Sequence, residues 1–446
     1  MYVCGPTVQS SPHIGHLRSA LVYDQWWRWF SYRDFDVTLV RNVTDIDDKV
    51  LQSADGSDEE WWARAYRVEL EFSAAYARLG IRPPSYEPRA TASIPQMLEL
   101  IGTLIERGHA YPASDGTADV YFDTASWPAY GELTRQRADD MADATDADPR
   151  GKRSPRDFAL WKGSKDSEPA SASWNSPWGP GRPGWHIECS TMAARYLGEK
   201  FDIHGGGLDL RFPHHENELA QSTAAGHAFA AHWMHNGLVT VDGQKMSKSI
   251  GNSVFAGELV DRARPLVVRY YLGAAHYRST IDYHDGSLDE AEAALERIEE
   301  FLRRVDRRLA GTRFASSGTP VLPPEFAEAM DDDLAIPQAL AVLHERVRAG
   351  NQALDSEELE TAASVRGEVI AMTDILGINP LDVQWTDAGD TRTRTALDSL
   401  VATLLTHRED ARASRDFARA DRIRSELLSV GIQLEDTPQG PEWRLE

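Results

Sequence analysis

The sequence is poor in cysteine, with only Cys4 and Cys189 in 446 residues. A disulfide framework needs more cysteines, so these two are either buried core residues or metal ligands. The chain also has no run of about 18 apolar residues, which excludes a membrane-spanning helix. Its first ten residues (MYVCGPTVQS) have no basic segment followed by an apolar core, so no signal peptide is expected. These absences predict a cytoplasmic protein.

Positive charge is scarce as well, with 47 Lys and Arg residues against 70 Asp and Glu, a net charge of −23. This excludes a protein that coats nucleic acid through its net charge, although a local basic surface remains possible. Hydrophobic residues make up 41% and charged residues 26%, a composition typical of a globular chain and not of a disordered one. At about 100–200 residues per domain, the length predicts about three structural units.

The first fifty residues predict a strand, a helix and a second strand. A short apolar segment precedes a Gly-Pro loop, helical periodicity extends from His13 to Tyr32, and a β-branched run follows at residues 37–40. This order is the start of a βαβ unit and indicates a parallel sheet. Near the other end of the chain, two helices and then a closing hairpin are predicted.

Long amphipathic helices are predicted after residue 287. Ser287 and Glu290 have the spacing of a capping box, which would begin the first of these helices. Apolar residues then recur at spacings of three and four and predict one buried face. These residues are Ala291, Leu295, Ile298, Leu302, Val305 and Leu309.

The segment at residues 12–16 reads PHIGH and opens the first predicted helix. His13 and His16 are three residues apart and therefore share one helical face. A helix N-terminus favours phosphate, and Gly15 would let a planar base pack against the backbone. Alone this pattern is weak evidence, because histidine pairs also satisfy hydrogen bonds in protein cores.

A second motif, KMSKS, occupies residues 245–249. Lys245 and Lys248 flank a small polar turn and could neutralise a leaving pyrophosphate, although an exposed charged loop is the alternative. Between the two motifs, glycines and an acid follow a predicted strand, as in nucleotide sites that bind a ribose. The two motifs in this order resemble the HIGH and KMSKS signatures of class I aminoacyl-tRNA synthetases.

The resemblance to class I synthetases implies a Rossmann-type α/β catalytic domain that binds ATP with Mg²⁺. It assigns catalytic roles to His13, His16, Lys245 and Lys248. It also implies that ATP is bound by Gly15, Gly205, Gly206, Asp209 and Lys248.

The two cysteines lie in strings that resemble the cysteinyl-tRNA synthetase family. Cys4 is in CGPT, Cys189 is in WHIECS, and His214 and Glu218 are in HHENE. On a helix, His214 and Glu218 would point the same way, and the four residues together offer S, S, N and O donors that suit Zn²⁺. The resemblance implies one catalytic-site zinc ion per chain, with a closed structural zinc and two inert thiols as alternatives.

Zinc also provides a chemical reason for specificity. Cysteine and serine differ only in S for O, and a pocket that relies on shape separates such pairs by only about 10–200-fold. Coordination of the substrate thiolate uses the softness of sulfur instead, so no editing domain is expected. The family resemblance further implies that Thr44 and Trp185 belong to the substrate pocket.

The resemblance covers the whole chain, although family members carry a leading segment before the part that matches Met1. The first strand is therefore expected to be uncovered at its start.

Residues 135–149 form an acidic run that we expect to be a solvated loop. The implied domain organisation, in chain order, is a first half of the Rossmann domain at 1–95, a loop-rich connective insertion at 96–184, the second half of the Rossmann domain at 185–240, the KMSKS loop and stem-contact region at 241–286, a helical bundle at 287–382 and a small mixed α/β anticodon-binding domain at 393–446.

The C-terminal domain carries a local cluster of arginines that includes Arg412, Arg415 and Arg419. They are either solvated helix charges or tRNA phosphate contacts, and Trp443 is either a base-stacking residue or a core residue. The resemblance implies a monomer that ligates L-cysteine to tRNA-Cys through a cysteinyl-adenylate. The alternatives are a cysteine ligase of mycothiol synthesis, which joins cysteine to glucosaminyl-inositol, and a non-catalytic tRNA-binding relative.

Overall fold

The computed structural model describes residues 1–136, 151–246, 250–315, 321–385, 388–437 and 440–445. The chain forms two compact units, Met1–Pro380 and Leu381–Glu446. Most of the acidic run, from residue 137 onward, lies outside the described ranges. Within them, no helix combines the length and the apolar character that crossing a membrane requires.

The elements of the described residues are numbered in chain order. The strands are β1 (Tyr2–Val3), β2 (Val40–Arg41), β3 (Ala110–Pro112), β4 (Val120–Phe122), β5 (Phe158–Gly163), β6 (Gly181–Pro183), β7 (Lys200–Gly207), β8 (Phe229–Asn236), β9 (Val239–Val241), β10 (Gln244–Lys245), β11 (Ile281–Tyr283), β12 (Ile432–Thr437) and β13 (Gly440–Leu445). The α-helices are α1 (Ile14–Tyr32), α2 (Asp48–Ala54), α3 (Trp61–Arg78), α4 (Ile94–Glu106), α5 (Trp185–Leu197), α6 (Glu216–Ala224), α7 (Ala256–Arg262), α8 (Pro265–Gly273), α9 (Ser287–Leu309), α10 (Pro324–Asp331), α11 (Ile336–Asp355), α12 (Leu359–Leu376), α13 (Ala388–Ala413) and α14 (Phe417–Ser429).

The sheet that organises the first unit is parallel, in the order β2–β1–β7–β8. Helix α1 connects β1 to β2, which confirms the predicted βαβ unit. The carboxyl ends of parallel strands meet at one edge of a sheet, where ligands of open α/β folds bind. Cys4 follows β1 there, and its backbone N–H donates to the carbonyl oxygen of Gly205 over 3.0 Å.

The insertion between the halves of this sheet contains an antiparallel sheet in the order β3–β4–β5–β6. Strand β5 carries the apolar side chains of Phe158, Leu160 and Trp161, none of which is exposed. Burial of this run explains why a segment that the sequence indicates to be rich in loops also has a regular core.

Helix α1 is fixed to the sheet and to α8 by polar side chains. The Tyr23 hydroxyl lies 3.1 Å from the carbonyl oxygen of Gly206 and 2.8 Å from that of Met234. The buried Arg18 guanidinium donates to the carbonyl oxygens of Ala275 and His276, just after α8. The start of α1 is therefore held at a defined place over the sheet edge.

Helix α9 belongs to the predicted bundle, and the predicted apolar face is buried along its whole length. The capping prediction was wrong. Gly286 is the N-cap residue, and Ser287 lies inside the first turn, where its Oγ accepts a hydrogen bond from the His284 N–H over 3.0 Å. The hydroxyl thus binds the preceding turn instead of the helix backbone.

The second unit consists of α13, α14 and the antiparallel pair β12–β13. This arrangement confirms the predicted two helices and closing hairpin. Its core contains Val401, Ile423, Leu427 and Ile432.

Candidate active site

The histidines of the HIGH motif cap helix α1 with their own side chains. His13 is the N-cap residue, and its Nδ1 accepts from the Gly15 N–H over 3.2 Å. The Nδ1 of His16 accepts from the His13 N–H, also over 3.2 Å, and the two rings stack with centroids 3.7 Å apart. Because an accepting nitrogen carries no proton, each neutral ring carries its proton on Nε2.

Burial lowers the pKa of His16 to about 3, and the neighbouring His13 adds to this effect. His16 is therefore neutral near pH 7. A neutral ring with its proton on Nε2 can donate one hydrogen bond to a phosphate oxygen, but it supplies no full positive charge.

Backbone hydrogen bonds place the segment after KMSKS directly beside the HIGH motif. The Ile14 N–H donates to the carbonyl oxygen of Val254, and the Ala256 N–H donates to that of Pro12, each over 2.9 Å. The Met246 methyl carbon would lie 3.4 Å from a Cβ atom built on Gly15. Two motifs more than two hundred residues apart in sequence therefore meet, as expected for a shared nucleotide site.

Of the two motif lysines, Lys245 lies exposed on β10, which pairs with β9. Lys248 lies outside the described residues, as do Ser247 and Ser249. The predicted role of Lys248 thus stays a prediction from the sequence.

The four predicted metal ligands converge in one buried cluster. The Sγ atoms of Cys4 and Cys189 are 3.6 Å apart, the Cys4 Sγ is 3.3 Å from the Glu218 Oε1, and the His214 Nε2 is 3.0 Å from that same oxygen. A tetrahedral zinc with Zn–S bonds of about 2.3 Å separates two thiolates by about 3.8 Å, so the sulfur spacing fits. All four donor atoms lie within 4.8 Å of one another.

The electrostatics of this cluster favour a cation. Burial raises the pKa of both thiols, most strongly that of Cys4. Burial alone would also raise the pKa of Glu218, but His204 and His214 hold it below its usual value. A bound cation would compensate the charge of the deprotonated sulfurs and offset their burial.

Sequence reasoning missed two further histidines beside this cluster. The His204 Nε2 lies 2.7 Å from the Glu218 Oε2, and His215, whose Nδ1 lies 2.8 Å from the His235 Nε2, is buried with them. With Cys4 and Glu218, His204 and His215 form a second donor set within 4.8 Å. His215 lies in the HHENE string and His204 begins the Gly-rich turn. Their positions next to predicted site residues could have indicated that they belong to the site.

The glycines predicted to bind ATP make room for protein side chains. A Cβ atom on Gly205 would lie 2.4–2.6 Å from atoms of the Tyr23 ring, and one on Gly206 would lie 2.9 Å from the His215 ring. Asp209, just after this turn, is exposed. Contact of these residues with ATP stays a prediction.

The two predicted pocket residues differ in their surroundings. Trp185 is half-buried and stacks on the ring of the metal-ligand candidate His214, with centroids 4.2 Å apart. Thr44 is buried, and its hydroxyl donates to the Glu188 Oε2 over 2.7 Å. Glu188 was not predicted as a site residue. Burial raises its pKa well above the usual value, against the opposing hydrogen bond from Thr44.

In the second unit, Arg412, Arg415 and Arg419 are exposed. Trp443 is partly buried and packs against the core cluster of that unit. Base stacking by Trp443 stays a prediction.

Three family descriptions match successive parts of the chain. Residues 1–293 match the class I (C) tRNA synthetase catalytic domain, residues 325–380 match the DALR domain, and residues 394–444 match the cysteinyl-tRNA ligase anticodon binding domain.

Curated relatives match over the full chain. A cysteine–tRNA ligase from Leifsonia xyli subsp. xyli is 70% identical, and one from Clavibacter sepedonicus is 68% identical. Each alignment covers 100% of this chain and 94% of the relative.

Solved structures show the same fold at low identity. Mycobacterium tuberculosis methionyl-tRNA synthetase, in complex with methionyl-adenylate, matches with a TM-score of 0.61 at 17% identity, over 86% of this chain and 91% of that chain. The leucyl-tRNA synthetase of an Agrobacterium radiobacter ternary complex matches with a TM-score of 0.63 at 12% identity, over 86% and 84%. The predicted class I synthetase fold is confirmed, and the chain belongs to the cysteinyl-tRNA synthetase family of class I aminoacyl-tRNA synthetases.

Proposed function

We propose that this chain ligates L-cysteine to tRNA-Cys in two steps, the first of which consumes ATP. The cysteine carboxylate first attacks the α-phosphate of ATP, so that cysteinyl-adenylate forms and pyrophosphate leaves. The acyl group then moves to a hydroxyl of the terminal tRNA ribose, and AMP leaves. The observation that carries this proposal is the buried cluster of Cys4, Cys189, His214 and Glu218 at the sheet edge that leads into the HIGH motif.

The four donors suit one zinc ion, since thiolate sulfur, imidazole nitrogen and carboxylate oxygen are each zinc ligands in proteins. When bound, zinc supplies a soft Lewis acid for the substrate thiolate, for which a serine hydroxyl is a poor substitute. Trp185, stacked on His214, would form a wall of the pocket beside the substrate side chain.

His16 would act on the phosphates as a neutral hydrogen-bond donor, with the His13 ring stacked on it. The Nε2–H group of His16 is not used in the cap and can donate to the charge that develops at the α-phosphate, and His13 is predicted to act beside it. Lys245 and Lys248 would bind the leaving pyrophosphate, and Mg²⁺ would accompany ATP. The glycines and Asp209 complete the predicted ATP site.

The anticodon-binding unit would bring the cognate tRNA to this site. Exposed Arg412, Arg415 and Arg419 can contact phosphates, which position a nucleic acid without reading its sequence. Replacing Arg415 with Ala should weaken tRNA binding and reduce its dependence on salt by about one phosphate contact. A monomeric state and a cytoplasmic location remain predictions.

The test is charging of purified tRNA-Cys with labelled cysteine in the presence of ATP and zinc. We expect charging of the tRNA. We also expect the kcat/KM for activation of cysteine, divided by that for serine, to exceed the ratio of roughly 200 that shape alone provides. Cys189→Ser should lower both the zinc content and this ratio. Selectivity that is unchanged in a zinc-free Cys189→Ser variant would contradict the role of the metal.

Two other outcomes would favour the alternatives. Cysteine-dependent ATP–pyrophosphate exchange without tRNA charging, but with ligation to glucosaminyl-inositol, would indicate the mycothiol-type ligase. Neither exchange nor charging, with tRNA binding intact, would indicate a non-catalytic relative. The match of residues 394–444 to an anticodon-binding domain favours the tRNA ligase over both.

A further inference from the structure

A buried chain of hydrogen bonds connects the two segments that carry the thiols. The Gly5 N–H donates to the Asn42 Oδ1 over 2.8 Å, and the Asn42 Nδ2 donates to the Thr44 Oγ1 over 3.2 Å. The Thr44 hydroxyl then donates to the Glu188 Oε2 over 2.7 Å. Asn42 and Thr44 are each 1% exposed and Glu188 is not exposed. We call Gly5, Asn42, Thr44 and Glu188 the Asn42 relay.

Hydrogen-bond chemistry fixes the direction of the first two bonds of this relay. A backbone N–H can only donate, so the Asn42 side chain must present its oxygen to Gly5 and its amide nitrogen to Thr44. With its oxygen accepting from Asn42, the Thr44 hydroxyl has its single proton for Glu188. The Thr44 hydroxyl thus has a partner inside the protein, and its predicted place in the substrate pocket stays a prediction.

The ends of the relay are covalently next to the two thiols. Gly5 follows Cys4, and Glu188 precedes Cys189 on helix α5. The Cys189 Sγ also lies 3.5 Å from the Asn42 Oδ1. The relay thus joins the loop after β1 to α5, and the segment after β2 lies between them.

Close packing at Gly5 also brings the loop after β1 against the segment after β2. A Cβ atom at Gly5 would lie 1.6 Å from the backbone oxygen of Asn42, so only glycine allows the two segments to approach this closely. The relay and this close approach therefore lie between the two backbone segments that hold the sulfurs, and the two Sγ atoms are 3.6 Å apart.

We propose that the Asn42 relay positions Cys4 and Cys189 for zinc, so that the thiol pair is arranged before the metal binds. The inference rests on the proposed zinc site and deepens it. Partners of metal ligands typically change metal affinity by about 10–100-fold when they are removed. Within the relay, Asn42 is such a direct partner of the Cys189 Sγ, whereas Thr44 does not contact either sulfur and acts through Asn42 and through Glu188, the backbone neighbour of Cys189.

The sharpest test compares Thr44→Val with Thr44→Ser in the full chain. Valine keeps the shape of threonine but removes the hydroxyl, whereas serine keeps the hydroxyl. Competition with a chromophoric chelator should give a zinc Kd about 10–100-fold higher for Thr44→Val and Asn42→Ala, and close to wild type for Thr44→Ser. Thr373→Ala, which removes a buried hydroxyl bonded within α12, controls for a loss of stability without a change in zinc affinity.

The outcomes separate the relay from the zinc site itself. A wild-type zinc Kd in folded Thr44→Val would overturn the positioning role, even if its thermal midpoint falls. An equal loss of affinity in Thr44→Ser would also overturn it, because the hydroxyl would then be irrelevant. If wild-type protein binds no zinc, or if zinc binding survives removal of both cysteines, the proposed zinc site fails and the relay with it.

Discussion

Replacement of His16 by Ala should separate its catalytic role from its capping role. The change removes the Nδ1 acceptor that caps α1 over 3.2 Å, and loss of such a cap costs about 0.5–2 kcal/mol of stability. It also removes the Nε2–H donor, and loss of one transition-state donor slows catalysis by about 100- to 1,000-fold, or about 3–4 kcal/mol. We therefore expect the activation barrier of cysteine activation, measured through kcat, to change by more kcal/mol than the free energy of unfolding. The KM for cysteine should change little, because the thiol binds elsewhere.

The assay is cysteine-dependent ATP–pyrophosphate exchange, with zinc content and thermal midpoint measured on the same samples. Asp416→Ala is a matched control, since it removes a helix cap over 3.1 Å in the second unit, which contributes no residue to the proposed activation chemistry. It should lose a similar stability and keep normal exchange. Unchanged exchange in His16→Ala, or a rise in the cysteine KM that matches the fall in kcat, would refute the proposed role.

The pH dependence of cysteine activation tests whether His16 acts as a neutral ring. With a pKa of about 3, only about one His16 ring in a thousand is protonated at pH 6, whereas a ring with the usual value near 6.5 would be mostly charged. Activation should therefore show no His16 ionisation between pH 6 and 8. An inflection near pH 6.5 that disappears in His16→Ala would show that the ring acts as a cation.

Two further predictions concern how α1 is held. Asp24→Asn should cost about 3–5 kcal/mol, because it leaves the buried Arg269 guanidinium without its carboxylate, and a lower urea midpoint of unfolding would measure this. Gly205→Ala should cost about 1–3 kcal/mol, because the added methyl group would collide with the Tyr23 ring. Gly102→Ala, where no heavy atom lies within 4 Å of the added carbon, should instead be neutral or stabilising, and calorimetry compares the two alanine variants.

Periodic patterns in the sequence were reliable because they reflect local geometry. The helical spacing from His13 to Tyr32 corresponds to α1, and the apolar positions after residue 287 are the buried face of α9. The error at Ser287 has the same local origin, since a hydroxyl can bond either to the helix or to the turn before it. Spacing alone does not decide between these two partners.

The metal cluster shows a different limit of sequence reasoning. Cys4 and Cys189 are 185 residues apart, and nothing in their spacing indicates that their sulfurs lie 3.6 Å from each other. The pairing was predicted from the family resemblance, whereas the residues alone left inert thiols open. His204 was missed because a single buried histidine has no periodicity and its partner, Glu218, comes from another element.

The Gly-rich turn and the Asn42 relay show why site residues are hard to assign by type. A glycine indicates only that something comes close, and at Gly205 the neighbour inside the protein is the Tyr23 ring. In the same way, a threonine in the right string predicts a substrate contact, but the string does not reveal the hydrogen bond between the Thr44 hydroxyl and Glu188, 144 residues away. A buried polar group needs a partner, and that partner comes from whichever element folds against it. Residue type and motif therefore locate this site, but the role of each polar group within it depends on tertiary contacts that only the fold supplies.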